Sequence, residues 1–187
     1  MSVYKRKGNR RVGFYEIDYD IDKVLECVDL NDRNTGILDH GELIDLRDKL
    51  QTCVDEYVDK CGSPGSSRAL IVDSCLKTTN KNMSIINTPA VTIYLSGILT
   101  ICSKKGSTPL TIKNKDGVDF HMKQQPGDLI ILPGSFFSRE GYVHGRTSIE
   151  FNIFKEPNIK WKEKTDKLMD EGKLDPKDIV IPNDYEF

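Results

Sequence analysis

The chain has 187 residues, and its 27 Lys+Arg nearly cancel its 29 Asp+Glu, for a formal charge of -2. A chain of this length supports one well-buried core rather than two independent ones, and balanced charge excludes a whole-molecule field drawing it to nucleic acid or an anionic membrane. No apolar run approaches the ~18 residues of a membrane helix and no signal-peptide core follows the start; the five cysteines form no C-x-x-C pair, so a soluble, cytoplasmic protein with reduced thiols and no membrane contact is expected.

The first residues, MSVYKRKGNRR, hold Lys5, Arg6, Lys7, Arg10 and Arg11 with no acid among them. Such a run can grip phosphates, but a solvated, frayed terminus is the simpler expectation. A short helix is predicted over Ile21–Val28. In DHGELIDLRDKLQTCVDEYVDKCG, Leu43, Leu46, Leu50, Cys53, Val54, Tyr57 and Val58 recur at helical steps, with Asp39 and Glu42 as a capping box and Gly62 as the stop. The preceding NDRNTGILDHGE has the outline of a calcium loop, yet its third position is Arg33, a cation where a carboxylate belongs.

From Arg68 onward the period changes to that of strands: RALIVDSCL, NMSII, AVTIYLSGILTICS, TPLTIK, VDFHMKQ, DLIIL and RTSIEFNIF, separated by Gly, Pro, Asn or Lys-rich turns. Seven short strands predict an antiparallel sandwich or barrel. Lys160–Leu174 returns to a helical pattern, and DPKDIVIPNDYEF is an acidic extended tail. The expected organisation is a basic arm and helical extension over 1–66, a β-barrel over 67–159, and a helix and tail over 160–187.

One stretch carries more than fold class. In PGDLIILPGSFFSR, Gly127-Asp128 makes a tight turn, Leu129–Leu132 a buried strand, and Pro133-Gly134 ends the ladder. This order resembles the second motif of the cupins, the small jelly-roll or double-stranded β-helix proteins, and AVTIYLSGILTI, with Gly97 at a strand-turn-strand corner, resembles the end of their first. Gly127–Trp161 is most similar to acireductone dioxygenase, with counterparts in Arg139, Phe154, Glu156-Pro157 and Trp161. The same strands also resemble the AlkB-like branch of the iron and 2-oxoglutarate dioxygenases, where His144, Arg146, Ser148 and Phe151 occupy matching places. Both resemblances imply one fold, a mainly β double-stranded β-helix with N-terminal helices and a C-terminal helix.

The metal ligands of those families are largely missing. Cupins place an H-x-H pair and the oxygenases an H-x-D pair before the strand TIYLSG, but this chain has NMSIINTPAV there, without His, Asp or Glu; Ser138 stands where a cupin's last His would follow Pro133. Among three histidines, His144 and His121 are the candidate ligands, expected to face the barrel interior, although a lone strand histidine is more often a hydrogen-bonded structural residue. Arg146 and Arg139, with Ser138, are the candidate partners of a bound carboxylate or phosphate, against the simpler reading of exposed hairpin arginines. Tyr94, Met122 and Phe151 are read as packing residues. The expectation is a divergent cupin- or dioxygenase-like protein with a degenerate metal centre, acting as a ligand-binding or interaction module, with a small carboxylate or phosphate, a protein partner or a homodimer as its company. The alternative is an active Fe(II) or Fe(II)/2-oxoglutarate-dependent dioxygenase using His144 and Arg146 in catalysis.

Overall fold

The computed structural model describes residues 5–7, 10–27, 36–61, 68–79, 94–103, 109–113, 119–133, 137–140 and 146–173. Nine strands are described: β1 Lys5–Lys7, β2 Arg10–Glu16, β3 Ala69–Thr79, β4 Leu95–Ser103, β5 Leu110–Lys113, β6 Asp119–Met122, β7 Asp128–Pro133, β8 Phe137–Glu140 and β9 Arg146–Lys155. Three helices accompany them: α1 Ile21–Glu26, α2 Ile44–Cys61 and α3 Glu156–Asp170. The strands form a six-stranded sheet in the order β1-β2-β7-β4-β9-β3 and a three-stranded sheet in the order β6-β5-β8. Every described pairing is antiparallel.

Alternation along the strands sends side chains to two different places. Facing the small sheet, Val12, Ile98, Ile130 and Leu132 pack on Leu110 and Ile112, with Phe14 and Met122 beside them. On the outer face of the large sheet, Leu95, Leu99, Ile101, Leu129, Ile131, Ile149, Phe151 and Ile153 meet Val24 of α1 and Leu46, Leu50, Val54, Tyr57 and Val58 of α2. The central strand β7 is therefore apolar on both faces over much of its length, which explains its unbroken run LIIL.

The apolar face of α2 is the one its helical spacing predicts, but the helix starts later. Two 3-10 turns, Ile37–Asp39 and Gly41–Leu43, precede it. Ile37, Leu38 and Leu43 are buried there, drawing the segment into the core, and the Leu38 amide donates to Ser74 Oγ at 3.0 Å. Asp39 accepts from Arg47 at 2.5 Å instead of capping α2, so the expected capping box is not formed; residues 31–35 of the calcium-like outline lie outside the described residues. α3 begins at Glu156, with Pro157 in its first turn where a missing N–H costs nothing.

The largest departure is at the start of the chain. Residues expected as a frayed basic arm form β1 and β2, and β2 continues the large sheet by pairing Gly13–Glu16 with Ile131–Asp128 of β7. Gly97 also differs from expectation: it lies inside β4, opposite Ile131 and Phe151, rather than at a corner. The turn before β7 is as predicted. Gly127 has φ 92, and a Cβ there would lie 2.9 Å from the Ile17 carbonyl oxygen, so only glycine fits without strain. Its amide donates to the Thr100 carbonyl at 2.9 Å and its carbonyl accepts from the Ile17 amide at 2.8 Å. Among the described residues, no helix is long and apolar enough to cross a membrane.

Candidate ligand site inside the barrel

The two faces of β9 divide the work. Thr147, Ile149, Phe151 and Ile153 alternate with Arg146, Ser148 and Glu150. Register fixes where the second set points: Glu150 lies opposite Ile98, and Ser148 opposite Thr100, while Ile98 belongs to the cluster facing the small sheet. Arg146, Ser148 and Glu150 therefore project between the sheets. Across β9 from them, β3 places Thr79 opposite Arg146, Lys77 opposite Ser148 and Cys75 opposite Glu150. One half of the barrel interior is thus apolar, and the other, on β3 and β9, is polar and charged.

Arg146 is only 1% exposed. A guanidinium cannot lose its charge to escape burial, so its five donors must be met by polar or anionic groups. Glu150 forms an ion pair with Lys77, two residues along each strand from the positions nearest Arg146. Burial pushes the Cys75 thiol above its usual range, with the Glu150 carboxylate adding to this and the Lys77 ammonium opposing it, so Cys75 is a neutral wall group. Thr78 and Thr147 meet hydroxyl to hydroxyl at 3.3 Å on the opposite face of the pair.

The turn into β7 adds two more polar groups. His121, Lys123 and Gln125 are exposed while Gln124 is buried, and Met122 packs on the inner cluster, so the alternation carries the Gln124 side chain inward. Gln124 is 6% exposed and Thr100 0%. The Thr100 hydroxyl and both ends of the Gln124 carboxamide are buried without a hydrogen-bond partner among the described residues.

The residues expected to form a site are distributed unevenly. Arg146 lies in the interior. His121 does not: its ring Nδ1 is 3.0 Å from Thr111 Oγ1, and Thr111 alternates with the inward Leu110 and Ile112, so this exposed histidine sits on the outside of the small sheet as a hydrogen-bonded surface residue. The two-histidine interior site is corrected accordingly. Ser138 pairs with Ile112 and Arg139 with Thr111 in the small sheet. His144 and the segment NMSIINTPAV lie outside the described residues.

Among the described residues no three His, Cys, Asp or Glu side chains are grouped to hold a metal ion. Glu150, the buried carboxylate of the described inner face, is already paired with Lys77, and the Cys75 thiol beside it is neutral. That donor set does not fit an iron(II) centre, which needs several hard or imidazole ligands converging with open positions left over. The buried Arg146 does fit a carboxylate, such as that of 2-oxoglutarate, through bidentate hydrogen bonding.

Two crossing patterns, β7-β4-β9-β3 in one sheet and β6-β5-β8 in the other, make this a double-stranded β-helix. No protein-family model matches the chain, and a sequence search of curated proteins finds no match. Solved structures do match its shape. A 2OG-Fe(II) oxygenase family oxidoreductase from Burkholderia pseudomallei superposes with a TM-score of 0.52 at 9% identity, covering 81% of this chain and 71% of the other. A prolyl-4-hydroxylase from Pseudomonas putida gives 0.55 at 12% identity, over 78% and 86%. At that identity the likeness is one of fold, and it is the double-stranded β-helix that the strand pattern predicts.

Sequence reading found Arg146 but not the group around it. Ser148 and Glu150 were visible in the polar-apolar alternation of RTSIEF. Lys77, Thr100 and Gln124 come from segments far apart in the chain, and only strand order brings them to one interior.

Proposed function

We propose that this chain is a divergent relative of the iron and 2-oxoglutarate dioxygenases, nearer to their AlkB-like branch than to acireductone dioxygenase, in which the barrel interior binds a small carboxylate or phosphate and the iron centre is degenerate. The observation that carries this reading is Arg146, an arginine 1% exposed at the start of β9 on the face between the sheets. A buried guanidinium at that position gives an anion a charged, bidentate and water-poor partner, and Ser148 adds a hydroxyl on the same face. The case against iron rests on donor chemistry. NMSIINTPAV, where the oxygenases' first ligand pair would fall, lacks any donor. Function follows the site when the fold suggests otherwise. Five free thiols fit a reducing, cytoplasmic setting.

A second reading is an active dioxygenase in which His144, two residues before Arg146, binds iron with ligands from segments beyond those described. Metal analysis separates the two. Protein incubated anaerobically with Fe(II) and desalted is expected to retain far less than one iron per chain, and His144→Ala to retain the same. Stoichiometric iron lost in His144→Ala would establish the second reading. In parallel, glutarate or inorganic phosphate is expected to raise the melting temperature with concentration, as mass action requires, and Arg146→Gln to abolish that rise.

A further inference from the structure

We infer that the occupant of the barrel interior is a small carboxylic acid that also bears an amide, its carboxylate held by Arg146 and its amide by Gln124 and Thr100. This rests on the reading of Arg146 as an anion partner and adds the chemistry of the ligand's other end.

The argument starts from the unmet groups. A buried polar atom with no partner costs free energy, and folded proteins rarely leave one so. Three such atoms stand on the inner side of two segments: the Thr100 hydroxyl oxygen on β4, and the nitrogen and oxygen of the Gln124 carboxamide before the turn into β7. Because both ends of the carboxamide lack partners, the conclusion holds whichever way the amide is turned. The turn holding Gln124 is fixed to β4 by the Gly127 amide donating to the Thr100 carbonyl at 2.9 Å. Gln124 and Thr100 therefore reach the interior from neighbouring backbone.

The kind of partner follows from hydrogen-bond inventory. Gln124 offers donors at one end and an acceptor at the other, and Thr100 offers one donor. A second carboxylate is acceptor-only: it would meet the Gln124 nitrogen and the Thr100 hydroxyl but leave the Gln124 oxygen unpaired. A primary amide meets all three. Its N–H donates to the Gln124 oxygen, and its carbonyl accepts from the Gln124 nitrogen and the Thr100 hydroxyl. Spacing agrees. Thr100 lies opposite Ser148, two residues from Arg146 on the same face of β9, roughly 7 Å along the strand at the usual rise per residue. A four- or five-carbon chain spans that separation.

The test is a calorimetric titration of the full chain with matched pairs of probes, succinate against succinamate and glutarate against glutaramate. In the unsubstituted protein the better amide of the two should bind at least about tenfold more tightly than its diacid, since a site built for hydrogen bonds rejects the analogue that leaves one unpaired. Gln124→Leu and Thr100→Val should each weaken the amide more than the diacid and so remove most of that preference, and Arg146→Gln should weaken both probes. Two variants are used so that a folding defect in one, read from its circular dichroism, does not decide the matter. Equal affinity for amide and diacid, unchanged in both variants, would mean that water satisfies Gln124 and Thr100; it would overturn this inference and leave the anion site standing. Binding of neither probe would remove the anion site and this inference with it.

Discussion

Gly97 is where a single methyl group tests the packing of the large sheet. It lies inside β4, directly opposite Phe151 of β9, on the face that meets the helices. A Cβ built on Gly97 would stand 2.6 Å from Phe151 Cε1 and nearer still to Cζ and Cε2, whereas carbon atoms pack at about 3.5–4.0 Å. The ring must retreat by about 1 Å or more. Phe151 is 2% exposed and held among Ile149, Ile153, Leu95 and Leu99, so no open space receives it. Overpacking of this kind costs about 1–3 kcal/mol, and the close approach to the centre of the ring edge places Gly97→Ala at the upper end. The reduced entropy of the unfolded chain returns only about 0.4–1 kcal/mol. We expect a net loss of about 2 kcal/mol, seen as a fall in melting temperature of roughly 4–8 °C at the usual 2–4 °C per kcal/mol for this size.

The assay is urea and thermal unfolding of four proteins: the unsubstituted chain, Gly97→Ala, Phe151→Leu and the double variant. Phe151→Leu alone is destabilising, but in its background Gly97→Ala should cost less than about 0.5 kcal/mol, so the two changes should couple by more than about 1 kcal/mol. Strict additivity, or a Gly97→Ala loss below about 0.5 kcal/mol in the unsubstituted protein, would refute the register that sets Gly97 against Phe151.

Three further outcomes are expected. Burial pushes the Tyr19 phenol up to about 12, above the value of about 10 in an unfolded chain; the neutral folded form is therefore favoured fully below pH ~10, and this contribution is lost as the pH rises through ~12. Urea midpoints of the unsubstituted protein should accordingly fall more steeply between pH 10 and 12 than those of Tyr19→Phe, which also loses the hydrogen bond to the Thr100 carbonyl, 3.0 Å long, at about 1 kcal/mol near neutral pH; parallel curves would contradict it. Lys77→Met removes the ion-pair partner of Glu150 and should cost about 1–3 kcal/mol by denaturant unfolding, whereas a neutral effect would mean the pair adds nothing to the interior. His121→Ala should change stability by no more than about 0.5 kcal/mol and leave glutarate affinity within twofold, because the ring sits outside the small sheet; a lost site in that variant would place His121 in the interior after all.

Much of the fold was legible because the strands obey a two-residue alternation strong enough to survive without knowing their partners. β3, β5, β6, β7 and β9 fall where RALIVDSCL, TPLTIK, VDFHMKQ, DLIIL and RTSIEFNIF place them, and α2 buries the stripe its spacing marks. The misses have physical causes. β2 hides its apolar residues Val12, Phe14 and Tyr15 behind a basic start, so the run reads as a solvated arm until β7 supplies it with a partner. β8 is four residues, FSRE, too short and polar to show a period. α2 starts late because burial of Ile37, Leu38 and Leu43 outweighs the capping preference of Asp39. At the site, Arg146 was readable as a charge within a strand. Its burial was not, since that depends on β3 and β4 flanking β9, and the inward turn of Gln124 depends on one glycine bridging to β4.

The account depends most on an interior that holds an anion through Arg146 without iron. Calorimetric titration of 2-oxoglutarate into metal-free protein, and into protein preloaded anaerobically with Fe(II), measures that directly. Binding of equal affinity in both, lost in Arg146→Gln, is the predicted result. Binding that occurs only after one iron per chain has been taken up would contradict it.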